Sequence, residues 1–546
     1  MPNGRKKVPF STKQKKLQMQ NKRAQKQQNC HDDYSANEFQ GFKRREKTSN
    51  KSSLGSYSNS RYRLMLPTGQ KHNVMNKSTY VPIQIHQVKN LLESTIDKSC
   101  ESKEWLPVRP PWKQTMTKHE LDSNENNYFR EFTETFEMKN GGDLCCYEHN
   151  LETWRQLWRV LEMSDILLLI VDIRHPVYNF PPSLYRYICK DLRKNLVLIL
   201  NKVDLVPTSV VSAWRDYFTK IYPDLKVVCF RSLPRRYKDK ENNLKLKMSV
   251  VAENTRSLFQ TIEDIVGDHI DIGSWKRKIE DDFTGEIEDE VKVEREEEEE
   301  EEEIPSRTSF RYEKYENGVV TLGCIGYPNV GKSSLLNTLK GRKVVSVSRT
   351  PGHTKYFQTI FLTKNVKLCD SPGLVFPSLL ESRLQVLTGC MPISQLRNPF
   401  PAIEYLAERI NLWDKLKLKS NFDLKDGYTA LDICEAWAEK KGFYTAKAAR
   451  PDTYRAANHI LRLALNGEIC LYFYPPKYLE NRAYYEDSTN LNGSEDGKVS
   501  DNESSGEEND TSDHESETEE VNSSDEWTSL RPKNMFAVLD GDFYDS

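Results

Sequence analysis

Nothing limits the fold of this chain more than the segment 326-GYPNVGKSS-334 and the place where it stands. It follows the apolar run 319-VVTLGCI-325 and precedes 335-LLNTL-339, so it reads as strand, glycine-rich turn and helix start. Gly326, Gly331, Lys332 and Ser333 fit the pattern GxxxxGK(S/T). Glycines let backbone N–H groups close around phosphate oxygens, and the helix start adds the positive end of its dipole. Lys332 is expected to neutralise the β- and γ-phosphates and the Ser333 hydroxyl to bind Mg²⁺, with Asn329, Val330 and Ser334 also on the nucleotide. Such a loop usually opens its domain, yet 325 residues come first here.

Those residues contain three apolar runs, 166-ILLLIVDI-173, 196-LVLILNK-202 and 225-LKVVCF-230. Helical segments 183-SLYRYICKDLRK-194 and 209-SVVSAWRDYFTKIY-222 separate them, and a further helix is expected at about 252–270. Continuous apolar strands alternating with helices predict a parallel sheet covered on both faces. The second run ends in 201-NKVD-204. A carboxylate offers two acceptors that match the N1–H and exocyclic amino group of guanine, and adenine has no such donor pair. Asp204 therefore selects GTP over ATP, Asn201 is expected to brace the neighbouring loop and reach the base, and the Lys202 stem to cover its face.

Downstream of the phosphate loop lie two more strand candidates, 356-YFQTIFLT-363 and 365-NVKLCD-370. The second runs into 370-DSPG-373, where Asp370 would hold Mg²⁺ through water and Gly373, after Pro372, would sense the γ-phosphate. In 349-RTPGHTK-355, Thr354 is the expected ligand for Mg²⁺ and γ-phosphate, with Thr350 as the competing choice. The catalytic set is thus Lys332, Thr354, Gly373 and Asn329, and the metal set Ser333, Thr354 and Asp370.

An ordinary small GTPase runs loop, switch threonine, DxxG and then NKxD, whereas this chain runs NKxD first. It is as though a six-stranded sheet had been cut after its third strand and its original ends rejoined, which costs little where the ends lie at the surface. In this the chain resembles the circularly permuted GTPases of the YlqF/YawG class over about 105–475, with 322–359 and 429–458 carrying the most detailed likeness. The resemblance implies an α/β, circularly permuted P-loop GTPase domain with a six-stranded, mostly parallel sheet, a C-terminal helical domain and a role in ribosome assembly. Two departures stand out. Leu374 follows DSPG where a Ras-like enzyme has its water-orienting Gln, so slow intrinsic hydrolysis is expected. The SA dipeptide usual beside guanine is replaced by 232-SL-233, which makes Ser232 the expected contact. The class also resembles GTPases in which a loop Asn holds K⁺ against the phosphates, and Asn329 stands at that place. GTP or GDP with Mg²⁺, and K⁺ as a stimulant, are the expected cofactors.

Hydrophobic residues make up 37% and charged residues 29% of the 546, so part of the chain must lie outside any core. Residues 1–104 carry basic clusters such as 4-GRKK-7 and read as a disordered arm, serving as a nuclear address, an RNA clamp or both. Residues 105–164 are a helical lead-in, with Leu151, Trp154, Trp158 and Leu161 at helical spacing. The permuted domain takes 165–377, interrupted by an acidic linker at 275–307 in which Glu296 to Glu303 is unbroken. The helical domain spans 378–480, and 481–546 is an acidic, Ser-rich tail, either inert or phosphorylated to compete with RNA. The last twelve residues regain apolar character, as a docking peptide would.

The eleven scattered cysteines form no CxxC pair and read as reduced core thiols. No signal peptide and no span is expected, since the longest apolar run, 166-ILLLIV-171, is too short for a bilayer. A monomer in the nucleus or nucleolus and the cytoplasm, using the nuclear import machinery, is the expected setting. In 452-DTYRAANHILRLALNG-467, Ala456, Ile460, Ala464 and the adjacent Ala457, Leu461 and Leu465 form one apolar face, and Arg455, His459 and Arg462 lie together at helical spacing with Lys440, Lys441, Lys447 and Arg450 nearby in sequence. The basic face is either a solvated surface or a seat for ribosomal RNA or a pre-ribosomal particle. Function thus narrows to a GTP-hydrolysing switch, or to a nucleotide-gated binding protein with negligible hydrolysis. An ATPase is disfavoured by Asp204.

Overall fold

The apolar runs become strands because no other element hides both faces of so short a segment. The computed structural model describes residues 64–65, 93–113, 115–141, 144–232, 241–284, 313–348, 351–352, 354, 356–419, 428–445 and 449–492. Its strands are β1 (Leu64–Met65), β2 (Tyr147–Glu148), β3 (Ile166–Asp172), β4 (Asn195–Asn201), β5 (Lys226–Phe230), β6 (Val320–Ile325), β7 (Gln358–Thr363) and β8 (Val366–Asp370). Six of them form one sheet in the order β5-β4-β3-β6-β8-β7, parallel except for β7, which runs antiparallel to β8. The permuted order predicted from the motifs is therefore present in space. β3 pairs directly with β6, Ile166 beside Leu322 and Leu169 beside Ile325, so the two halves of the chain meet at the centre of the sheet. Every residue of β3 is buried.

The helices are α1 (Lys118–Asn140), α2 (Leu151–Met163), α3 (Thr208–Ile221), α4 (Glu241–Val266), α5 (Gly273–Thr284), α6 (Lys332–Lys340), α7 (Ser382–Leu387), α8 (Phe400–Ala407), α9 (Ala430–Lys441), α10 (Thr453–Asn466) and α11 (Arg482–Asn492). Thr117 begins α1 through a reciprocal capping box with Glu120. Among the described residues no helix is long and apolar enough to cross a membrane. The helical C-terminal region packs α9 against α10, and Ala456, Ala457, Ile460, Leu461 and Ala464 are its buried face, as their spacing predicts.

Several boundaries differ from expectation. The segment 183–194 is not one helix but a short α-turn, Pro182–Arg186, followed by a π-turn, Tyr187–Asp191. The helix expected from about 252 begins at Glu241. The start of the expected acidic linker is α5, because Trp275 and Ile279, four residues apart, are both buried and Trp275 meets Phe259 edge-on. Its remainder lies outside the described residues. The last part of the expected basic arm is packed rather than free: Ile96 and Cys100 are buried, and Tyr217 Oη accepts from the Ile96 N–H at 2.9 Å. Residues 482–492, taken as the start of the acidic tail, form α11 against α3. The basic clusters, the rest of the tail and the final twelve residues lie outside the described residues.

Candidate functional site

The C-terminal ends of β4, β6 and β8 carry the 201–204 turn, the phosphate loop and 370-DSPG-373, at the usual crevice of an open α/β sheet, while Ser232 follows β5 and Thr354 lies ahead of β7. The phosphate loop has its glycines where nothing else fits. Gly326 holds φ +143, and a Cβ there would lie 2.5 Å from the Ile170 carbonyl oxygen. Gly331 holds φ +104, and a Cβ there would lie 2.3 Å from Asn201 Nδ2. Lys332 is buried at the start of α6, its Nζ donating to the carbonyls of Gly326 (3.0 Å) and Tyr327 (2.7 Å). Burial pushes its ammonium down to about 8, with Asp370 opposing.

The 201–204 turn and the phosphate loop, far apart in sequence, are hydrogen-bonded to each other. Asn201 Nδ2 donates to the Val330 carbonyl at 2.8 Å, and Lys202 Nζ donates to the Asn329 carbonyl at 2.7 Å. Lys202 adopts φ +63, which turns the chain so that Asp204 lies outside the core with 27% of its side chain exposed. Arg231 Nε stands 4.0 Å from that carboxylate. The Ser232 hydroxyl donates to Asn201 Oδ1 at 3.4 Å, on the same side of the loop. Asn201, Lys202, Ser232, Asn329, Val330 and Gly331 are thus brought together.

Ser333 donates its hydroxyl to Asp370 Oδ2 at 2.9 Å. Asp370 is buried, its other oxygen has no hydrogen-bond partner, and burial pushes the carboxyl up against the pull of Lys332 and Ser333. A hydroxyl beside a buried carboxylate with an unanswered oxygen fits a hard, oxygen-seeking cation such as Mg²⁺. No cluster of three or more His, Cys, Asp or Glu able to hold a metal occurs among the described residues, so phosphate oxygens would have to complete such a shell. Gly373 packs so closely that a Cβ would sit 2.7 Å from Pro328 Cα. Leu374 is buried and its N–H donates to Gly326 O at 3.3 Å, so its side chain faces the core and not the crevice. Thr354 is half-buried, and no hydrogen bond among the described residues ties it to Ser333 or Asp370; Arg349, Thr350, His353 and Lys355 lie outside them. Asn329, with φ +60, sends its Nδ2 to the Gly389 carbonyl at 2.9 Å, so its amide is turned towards the C-terminal helical region.

Two sets of contacts escaped the sequence reading. Asp172, at the end of β3, accepts from Lys202 Nζ at 2.7 Å, from the Arg174 guanidinium through two bonds of 3.0 and 2.8 Å, and from the Arg174 N–H at 3.1 Å. The signal was a charged DIR at the end of an apolar strand. The second set belongs to the lead-in, which lies along the exit from 370-DSPG-373. Cys145 N–H donates to Ser378 O, Glu148 N–H to Val375 O, and Gln385 exchanges two hydrogen bonds with the Cys146 backbone. Gln156, buried on α2, accepts from the Phe357 N–H at 3.2 Å, just past the 349–355 segment. No local pattern announces contacts of such sequence separation.

The basic face of α10 is only partly as expected. Arg455 and Arg462 are exposed, and Arg455 lies over the Phe443 ring at 4.5 Å. His459 is half-buried, accepts from Trp437 Nε1 at 3.3 Å and is held below its usual range by burial, then by Lys441 and Arg462. It is neutral at neutral pH and adds no charge to the face. Lys440 donates to the carbonyls of Leu416 and Lys417, and Lys447 lies outside the described residues.

A family model described as a 50S ribosome-binding GTPase matches residues 321–404. Guanine nucleotide-binding protein-like 1 of Mus musculus is 46% identical over 461 residues, covering 79% of this chain and 75% of that protein. Large subunit GTPase 1 of Saccharomyces cerevisiae is 33% identical over 395 residues, covering 70% of this chain and 59% of that protein. Among solved structures, GNP-bound YlqF from T. maritima aligns with a TM-score of 0.32 at 17% identity, covering 59% of this chain and 97% of that one.

Proposed function

As the chain belongs to the family of guanine nucleotide-binding protein-like 1, GTPases with a circularly permuted nucleotide-binding domain, we propose that it is a GTP-hydrolysing switch acting on a pre-ribosomal particle or its RNA. The observation that carries the reading is the direct bonding of the 201–204 turn to the phosphate loop, which brings side by side two segments that the permutation separates. Asp204 reads the guanine edge, with Asn201, Lys202 and Ser232 around the base. The backbone of Asn329, Val330, Gly331, Ser333 and Ser334 closes on the phosphates, and Lys332 leaves the Gly326 and Tyr327 carbonyls to neutralise them. Ser333, Thr354 and Asp370 hold Mg²⁺, which when bound screens the charge that develops between the β- and γ-phosphates. The unanswered oxygen of Asp370 is free to take part in that shell, and Pro372 and Gly373 follow the γ-phosphate.

Leu374 supports a slow intrinsic rate, because a buried aliphatic side chain orients no water. The same observation favours the second reading, a nucleotide-gated binding protein with negligible hydrolysis. K⁺ held at Asn329 is part of the first reading, and equal turnover in sodium and potassium removes it. Because 370-DSPG-373 runs on towards α7, γ-phosphate binding reorients the C-terminal helical region and its exposed Arg455 and Arg462. Residence in the nucleus or nucleolus and the cytoplasm, with entry by the nuclear import machinery, and a monomeric state belong to the same proposal.

The test is direct binding of GTP and ATP to the purified chain with Mg²⁺, followed by single-turnover phosphate release with K⁺ and pre-ribosomal particles. Marked preference for GTP and stimulated release support the switch. Preference for GTP without release supports the gated binder, and no preference for GTP overturns both.

A further inference from the structure

The guanine-reading turn rests on the far end of α10. Arg174 is buried, and beyond the two bonds of its guanidinium to Asp172 its Nη1 donates to the Ala464 carbonyl at 2.8 Å. Its Nη2 also approaches the Leu465 carbonyl at 3.4 Å. Those carbonyls belong to the last turn of α10, beyond the regular helix ladder, where Ala464 O takes only the capping Gly467 N–H at 3.1 Å from the backbone and the dipole is negative. Asp172 passes the contact on to Lys202, and Lys202 to the Asn329 carbonyl in the phosphate loop. Cation, carboxylate, cation and helix end therefore alternate through the protein interior. His175, which burial pushes down to about 4, stays neutral beside them.

A second contact stands independently of Arg174. Gly467, the cap of α10 at φ +86, lies so close to the residue after Asp204 that a Cβ would be 2.8 Å from Leu205 Cδ2. Cys470 Sγ donates to the Leu205 carbonyl at 3.1 Å. Both ends of the 201–205 turn are thus held by the same helix terminus.

We propose that Arg174 is a positioning residue that links the docking of α10 to the residence time of guanine nucleotide. Lifting residues 464–470 frees the 201–205 turn and speeds nucleotide release; by reciprocity, an occupied guanine site holds the end of α10 down. A macromolecule gripping the exposed Arg455 and Arg462 has this helix as its lever. The inference rests on the reading of 201–204 as the guanine contact.

Release of a fluorescent GDP analogue from the full chain, chased with unlabelled GDP, measures the link. Removing one partner from a buried charge set is costly, so Arg174→Met is expected to speed release by about tenfold or more, with Arg174→Lys between it and the parent. In the parent, GDP is expected to slow amide exchange across 460–470; in Arg174→Met it does not. Phe400→Ala, whose ring meets Tyr454 at 5.0 Å beside the first turn of α10, loosens the helical region at the opposite end of that helix and is expected to release at the parent rate. If Arg174→Met fails to fold, Gly467→Ala asks the same question from the helix side and is expected to speed release likewise. The proposal falls if the folded variant releases within about twofold of the parent, a change under 0.5 kcal/mol. It also falls if Phe400→Ala speeds release equally, or if GDP leaves exchange across 460–470 unchanged in the parent. A parent chain that binds no GDP removes the guanine reading itself, whereas binding with insensitive release removes only the link.

Discussion

Glu148 donates its backbone N–H to the Val375 carbonyl across 3.0 Å. Through this bond the N-terminal lead-in is fixed to the strand of chain that leaves 370-DSPG-373. The Glu148 carboxyl is buried there, with Oε1 accepting from the Asn150 N–H at 2.9 Å. Trp154 meets Phe376 edge-on at 5.7 Å beside it.

Burial pushes the Glu148 carboxyl up from 4.5 to about 7, only partly offset by the Asn150 and His149 backbone N–H groups. The folded chain then holds more protons than the unfolded one between those values, so this group makes stability fall as pH rises through the window. Glu148→Gln removes the dependence. Its stability relative to the parent is expected to grow from pH 5 to pH 8, by at most about 3 kcal/mol. Denaturant titrations at the two pH values measure this, and an equal difference at both would refute it.

Burial penalises the charge of Lys332 and pushes its ammonium down to about 8. Phosphates favour the charged form, so GDP binding at pH 8 is expected to take up about half a proton, and affinity to weaken as pH rises further. Calorimetry in two buffers of different ionisation enthalpy reads the uptake directly. Identical heats in both buffers would mean that the ammonium is not the group engaged.

Gly331→Ala places a methyl against Asn201 Nδ2 in a backbone conformation that costs a side chain about 1–2 kcal/mol. The Asn201–Val330 bond breaks, and GDP affinity is expected to drop by about tenfold or more, each tenfold being about 1.4 kcal/mol. If the collision is the cause, the added cost of Gly331→Ala is smaller in an Asn201→Ala background. Strict additivity of the two changes would place the cause elsewhere.

Asp204→Asn exchanges an acceptor pair for an amide whose nitrogen donates. Xanthine nucleotides present an oxygen at C2, so the variant is expected to prefer xanthosine to guanosine triphosphate, the reverse of the parent. Competition binding with the two nucleotides checks it. A variant that keeps its guanine preference would show that Asp204 does not read the base.

The sequence determined by itself the strands of the main sheet, the phosphate loop, the 201–204 and 370–373 turns, and the permuted order that brings their strands into one sheet. Each rests on local chemistry: an apolar run long enough for one strand, glycines at positive φ, a carboxylate of the right acceptor pattern. What the tertiary structure decided is what those parts touch. Trp275 and Ile279 reveal a helix where composition suggested only a solvated run, because burial depends on a partner, Phe259, that spacing does not name. The lead-in meets the exit of 370-DSPG-373, and Arg174 meets the end of α10. Periodicity tells which face of an element is apolar; it carries no record of the distant surface that covers it, and here those surfaces join the 201–205 turn and the exit of 370-DSPG-373 to distant parts of the described fold.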